Sequence, residues 1–218
     1  MINKFLILFG VICFISCKPN ITNEPKTNGN FGLAYNQPKD SALRKELEYM
    51  AVEDQTLRLL LPAVKKKFGN GSIEEKYIWS LIHLQDSICL RRIVIILDEY
   101  GWLGKTSVGN KANQAIWLVI QHANLETQEK YLPILKESVE KGESEGWHQA
   151  FLEDRIQMRN NKKQIYGSQA TWDETTGKMK IYPIQNANHV NERRKTIGLE
   201  PIEEYAKMNG YVFDQIDD

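Results

Sequence analysis

An excess of charge of either sign is missing from this sequence: 28 lysines and arginines stand against 28 aspartates and glutamates in 218 residues. Without a basic surplus there is no electrostatic footprint for nucleic acid, nor for any strongly charged partner. Cysteine is nearly absent, at three residues. Cys13 and Cys17 precede the folded part, so Cys89 stands alone and no disulfide can form inside the domain. Its apolar neighbours predict a buried, inert thiol. HExxH, paired-cysteine ligand spacings, GxSxG, GxGxxG and a P-loop are all missing. Gly104-Lys105-Thr106 ends like a Walker motif but lacks the upstream glycine and follows a helical segment rather than a strand. No dedicated metal site, no cofactor and no nucleic-acid partner are expected; His122 with Asp54 and Asp154 is the one donor set to keep in view.

What is present begins at the N-terminus. In MINKFLILFGVICFISC, Lys4 is a positive n-region and Phe5 to Ile15 an apolar run, too short for a permanent span of about 20 residues. Ile15-Ser16-Cys17 resembles the lipobox of bacterial lipoproteins, in which a small residue precedes a cysteine that is acylated and becomes the new N-terminus. Phe14 stands where that motif more often has Leu. The resemblance implies lipidation at Cys17, export, and attachment to a membrane of the cell envelope through lipid. Residues 18–38, rich in Asn, Pro, Gly and Thr, form a tether reaching roughly 25 Å as a flexible coil. Residues 39–218 then make one domain, long enough to bury a core.

That domain is predicted to be mainly α: a bundle of about five longer helices, one β-hairpin and two short C-terminal helices. From Asp40 an apolar stripe runs through Leu43, Leu47, Met50, Leu57, Leu61, Val64 and Phe68 at steps of three and four. Pro62 should kink or break this first helix, and Gly69-Asn70-Gly71 ends it. The second runs from about Ile73 to Tyr100 and stops at Gly101. Ser107 is a candidate cap for a third, Val108 to His122, and Asn124 for a fourth, Leu125 to Lys141. A fifth spans Glu145 to Asn161. QIYGSQATW and KMKIYPI flank DETTG as a hairpin, with Gly167 marking a bulge or a close approach of backbone. Helices over Asn188–Ile197 and from Pro201 to Gly210 close the chain.

Polar residues on apolar stripes are the informative ones. Asp54 occupies a stripe position of the first helix, and Arg58, four residues on, can pair with it. Asp154 lies on the apolar face of Trp147, Phe151 and Met158, with Arg155 one position round. A carboxylate there needs a cation or backbone donors. In AIWLVIQHANLET the helix is apolar all round until Gln121-His122, and the stripe Val108, Ala112, Ala115, Val119 leads to an inward-pointing His122 at the C-terminal end. A satisfied core histidine touching an acid from another helix is the plain account; a general acid or base is the other. Tyr166 and Gln169 on the hairpin, and Arg193 and Arg194 as cations for Asp54 or Asp154, complete the candidate polar cluster.

Asp54-Gln55 with Arg58, Gly101-Trp102, Gln121-His122-Ala123-Asn124, Leu152 with Asp154-Arg155, Tyr166-Gly167-Ser168-Gln169, and Arg193-Arg194 with Gly198-Leu199 recur together in an uncharacterised family of small bacterial helical domains, which the chain resembles from Leu43 to Tyr205. Leu103 and Asn124 depart from its pattern. The resemblance implies a fold and no activity.

Three functions stay open. A lipid-anchored envelope domain binding a small molecule or a protein needs a groove, or an exposed apolar patch such as one around Trp102 or Trp172. A hydrolase or lyase acting on an envelope substrate would use His122 as acid or base, Asp54 or Asp154 to orient it, and Arg58, Arg155 or Arg193 for an anionic group. A purely structural network would close every polar residue on another.

Overall fold

A computed structural model describes residues 41–214, so the signal segment, Cys17, the tether and Asp40 lie outside the described residues. The protein is mainly α, with eight α-helices and one two-stranded hairpin among those residues. Two 28-residue helices, α1 (Ser41–Phe68) and α2 (Ile73–Tyr100), form an antiparallel pair joined across residues 69–72. Ser72 caps α2 by accepting from the Glu75 backbone N–H at 3.2 Å. Pro62 neither breaks nor ends α1. It sits on the exposed face, where its ring meets solvent and only one helical hydrogen bond is lost.

The predicted third helix is two. A single turn, α3 (Lys105–Val108), is cut from α4 (Asn110–His122) at Gly109, whose φ of 85° only glycine adopts readily. Helix α4 is the central element: every residue from Ala115 to Gln121 is buried. Its flanks are α1, α2, α5 (Leu125–Glu140) and α6 (Gly146–Arg159). Asn124 caps α5 as expected, accepting from the Thr127 N–H at 2.9 Å. The main core joins Leu47 and Met50 of α1, Ile93 and Ile96 of α2, Ile116 and Trp117 of α4, Leu135 of α5 and Leu152 of α6. Cys89 lies in it, a free buried thiol.

Strands β1 (Ala170–Asp173) and β2 (Lys178–Ile181) pair antiparallel, Asp173 opposite Lys178. The hairpin is shorter than predicted, because residues 164–169 are committed elsewhere (below). A 3₁₀ turn (Ala187–His189), α7 (Val190–Thr196) and α8 (Ile202–Asn209) follow and build a second apolar cluster around Ile184, Val190, Ile202 and Tyr205. Phe151 of α6 touches both clusters. Among the described residues no helix is long and apolar enough to cross a membrane.

One core residue makes the fold acid-sensitive. His148 of α6 stacks on Trp117 at 5.0 Å between ring centroids and meets Trp147 edge-to-face at 4.1 Å. It is buried, and neither ring nitrogen has a hydrogen-bond partner among the described residues. Burial, helped by Lys105, lowers its pKa from the ordinary 6.5 to about 3. The unfolded chain therefore takes up a proton near neutral pH that the folded chain refuses until far lower. Stability from this site is complete above the unfolded pKa and is lost as pH falls, by up to about 1.4 kcal/mol per pH unit. Denaturant titrations at pH 7 and pH 4.5 should differ by about 3 kcal/mol less in His148→Phe than in the wild type. An equal pH dependence in the two proteins would remove His148 from the account.

Candidate functional site

Arg44 lies against Gly109 at the start of α4, and Asp54 meets His122 at its end, so α1 and α4 run side by side over this length. Ten residues of helix separate Arg44 from Asp54, which brings the carboxylate level with the last turn of α4. His122 Nδ1 is 2.8 Å from Asp54 Oδ1. Gln55 donates to the other carboxylate oxygen at 2.6 Å. Arg58, one turn on, donates from Nη1 to the Asp54 carbonyl at 2.7 Å, with Asp54 Oδ1 at 3.6 Å. Its Nη2 bridges both oxygens of Asp86 on α2, at 2.9 and 2.8 Å.

Asp86 was not among the residues predicted from the sequence, although the signal was there. It stands four residues after Ile82 and three before Cys89, both buried, and so occupies the inward stripe of α2 as Asp54 occupies that of α1. Helix α6 brings two more cations. Arg159 donates from Nη1 to the Ala123 carbonyl at 2.6 Å, closing the C-terminal end of α4. Arg155, one turn earlier and buried, is within electrostatic range of His122, Arg58 and Arg159.

Charge and burial set the protonation states. Burial lowers the pKa of His122, Arg58 and Arg155 add to that, and Asp54 opposes it; the net direction is down, so the imidazole is neutral at pH 7. Burial alone would raise Asp54, but His122, Arg58 and Gln55 hold it below the usual carboxylate range. An ionised Asp54 can only accept, which places the imidazole proton on Nδ1 and makes Nε2 the basic nitrogen. Burial raises Asp86 and Arg58 pulls it back. Arg155 is lowered to about 9 by burial and by the like charges of Arg159 and Arg58. Among the described residues, three guanidiniums thus share the site with two carboxylates. The side chains of Asp54, His122 and Arg58 are 1, 6 and 8% exposed, against 19% for Asp86, so the site opens to solvent at Asp86.

Donor atoms of Asp54, Asp86 and His122 all lie within 4.8 Å of one another, a spacing a metal ion could use. The fork of Arg58 lies across both carboxylates. A cation would have to displace it and then face Arg155. The arrangement suits an anion better than a metal.

The remaining predicted residues do not join this centre. Asp154, fully buried, has no ion-pair partner among the described residues; it accepts the backbone N–H groups of Ile165, Tyr166 and Ser168 at 2.8, 3.0 and 2.8 Å. Arg193 and Arg194 make no ion pair with either aspartate among the described residues, although both lie within electrostatic range of Asp154. Arg193 donates to the carbonyls of Ile165 and Gln185, and Arg194 to those of Tyr166 and Glu200. Gln169 donates its own N–H to Gln164 Oε1 and turns its amide to Ser168 and the Phe151 carbonyl. The phenol of Tyr166 is buried, which pushes its pKa up to about 12. These residues form a knot that pins the chain after α6. At its centre Gly167 has φ of 74°, and a Cβ there would lie 2.5 Å from Ile184 and 2.8 Å from Ile202. The close approach expected at this glycine is the seat of the second apolar cluster.

A family described as "Family of unknown function (DUF6624)" matches residues 41–214. No curated protein and no solved structure matches the chain.

Proposed function

The chain belongs to this family of unknown function, and from its own residues we propose that it is a lipid-anchored protein of the bacterial cell envelope whose helical domain binds a small anion at the Arg58–His122–Arg155 centre. The anchor rests on the Ser16-Cys17 motif and the apolar run before it. The binding site rests on one observation: three guanidiniums gathered around two carboxylates in a nearly dry place. Holding guanidiniums out of water carries a desolvation cost that a well-packed apolar core would not incur. Arg58 supplies the planar fork that matches a carboxylate or a phosphate. Asp86, the most open member, already fills that fork with a carboxylate, and a ligand oxyanion would take its place as Asp86 swings to solvent.

Calorimetric titration with inorganic phosphate and with citrate, at constant ionic strength, tests the reading. Wild type should bind one or both, Arg155→Met at least tenfold more weakly, and Asp86→Asn more tightly because the internal competitor has lost its charge. Equal heats in all three proteins would sink it. The 2.8 Å contact of neutral His122 with Asp54 favours a second reading, a hydrolase or lyase with Nε2 as general base on the bound anion. Turnover of a phosphoester or carboxylate ester that disappears in His122→Ala, with phosphate binding kept, would select it.

A further inference from the structure

Past the level of Asp54, where α4 ends at His122, α1 and α2 run on as an antiparallel arm about 21 Å long to the turn at residues 69–72. The patch expected around Trp102 or Trp172 is not where exposed apolar surface gathers: Trp102 is half-buried against the core and Trp172 is solitary. Large apolar side chains bracket the arm's tip instead. Phe68 is the last residue of α1, Ile73 the first of α2, and Tyr77 lies one turn further on. They are 46, 82 and 62% exposed, and no other large apolar residue among those described is as open as Ile73. The turn between them is held from inside. Glu75 accepts the Gly71 N–H at 2.7 Å and the Trp79 indole N–H at 3.3 Å, and Lys65 reaches it at 3.3 Å, so its charge is balanced within the arm. The charges facing solvent over residues 66–77 are Lys66, Lys67 and Lys76 against Glu74. The even balance of the whole chain thus conceals a local positive excess. Lys66 and Lys67 suit the C-terminal end of a helix on dipole grounds alone, but Lys76 stands three residues after the start of α2, the end where a cation is disfavoured.

We propose that this tip is a membrane contact, in which Phe68, Ile73 and Tyr77 enter the interfacial layer of a bilayer while Lys66, Lys67 and Lys76 sit among anionic lipid headgroups. Apolar and aromatic side chains flanked by lysines are the composition of interfacial segments. A long lysine stem follows the apolar residues inward while its ammonium stays in the headgroup layer. Lys67 shows the arrangement on a small scale, its ammonium lying 5.0 Å over the Phe68 ring. An acidic protein fits this surface less well, because lysine is depleted in protein–protein contacts, and an isoleucine at the end of a projecting turn needs a medium that closes around it. The contact is confined to the tip. Further along α2 the solvent side carries Arg91, Asp98 and Glu99, charges that keep the rest of the arm in water. The inference rests on the arm's own residues, and an anchor at Cys17 is compatible with it. The 23 residues between Cys17 and Ser41 extend to about 80 Å at most, roughly twice the length of α1.

The test uses the full-length chain with Asn70→Cys at the turn, labelled with a polarity-sensitive NBD dye and mixed with vesicles. The chain without Asn70→Cys, treated alike, is the blank for labelling at the native cysteines. On phosphatidylcholine vesicles containing phosphatidylglycerol the dye emission should move to the blue and be quenched by spin-labelled lipid; on phosphatidylcholine alone it should do neither. Ile73→Asp should cut the inserted fraction by about fivefold or more. Lys66→Glu with Lys67→Glu should do the same, since each lysine at an anionic surface is worth roughly fivefold in affinity. All these positions are exposed, so the fold is kept, which circular dichroism checks. No shift on either vesicle would overturn the proposal, as would an equal shift on both, or insertion indifferent to Ile73→Asp. A shift produced by soluble polyglutamate and not by vesicles would assign the tip to an acidic protein and overturn it too. Sedimentation with phosphatidylcholine vesicles reads the Cys17 anchor separately, because the tip has no hold there. An anchored chain whose dye stays unshifted on phosphatidylglycerol defeats the tip alone, and a shift on phosphatidylglycerol in a chain that leaves neutral vesicles defeats the anchor alone.

Discussion

Replacing Asp154 by alanine should cost about 4 kcal/mol of unfolding free energy, a large part of a typical domain's total. The carboxylate is fully buried and accepts three backbone N–H groups from four consecutive residues. Alanine leaves those donors without a partner, at about 1–3 kcal/mol each where water cannot reach. The loop they belong to carries Gly167 against Ile184 and Ile202, so loosening it also loosens the second apolar cluster. Asp154→Asn, which keeps one acceptor oxygen, should lose roughly half as much. Urea titration of both variants measures this; a loss below about 1 kcal/mol in Asp154→Ala would mean that Arg193 and Arg194 alone hold the loop.

Arg155→Met should act in the opposite sense, raising stability by about 1–3 kcal/mol. Its guanidinium is buried and lies among the like charges of Arg58 and Arg159, which is why its pKa falls to about 9. Methionine has nearly the same length and no charge to desolvate, and buried charges replaced by apolar residues of similar volume commonly leave a protein as stable or more so. The same urea titration decides. A loss of about 2 kcal/mol or more would make Arg155 part of the architecture rather than of a ligand site. The two variants separate the polar residues of α6 by role: Asp154 holds the chain, and Arg155 is held by it.

Periodicity carried much of the fold. The ends of α2 at Ser72 and Gly101, and the Asn124 cap of α5, follow from residue types whose preferences are local. Pro62 leaves α1 unbroken because a proline's effect depends on which face of the helix it occupies, and its face here is solvent. Gly109 gave no warning of the break between α3 and α4, since glycine within a helical pattern is tolerated until packing asks for positive φ. At the candidate site, the contact of Asp54 with His122 was legible as two polar residues on inward stripes. Asp86 could have been read in the same way from Ile82 and Cys89. Asp154 and Arg155 could not be told apart by pattern: they are adjacent, and their partners lie in a loop 11–14 residues later and on other helices. Arg193 and Arg194 looked like cations awaiting an acid; backbone carbonyls claimed Arg193, while Arg194 pairs with Glu200 at 3.5 Å and donates to the Tyr166 carbonyl.

The centre of the account is that the Arg58–His122–Arg155 site is kept for a ligand rather than for the fold. The most direct measurement is the unfolding free energy of wild type and Arg155→Met, each in chloride and in phosphate of matched ionic strength. A ligand that binds only the folded state adds stability in proportion to the logarithm of its concentration. The account predicts that Arg155→Met is the more stable protein in chloride, that phosphate stabilises the wild type, and that phosphate adds less to the variant. A variant less stable than wild type in chloride, with the same phosphate increment in both, would contradict it.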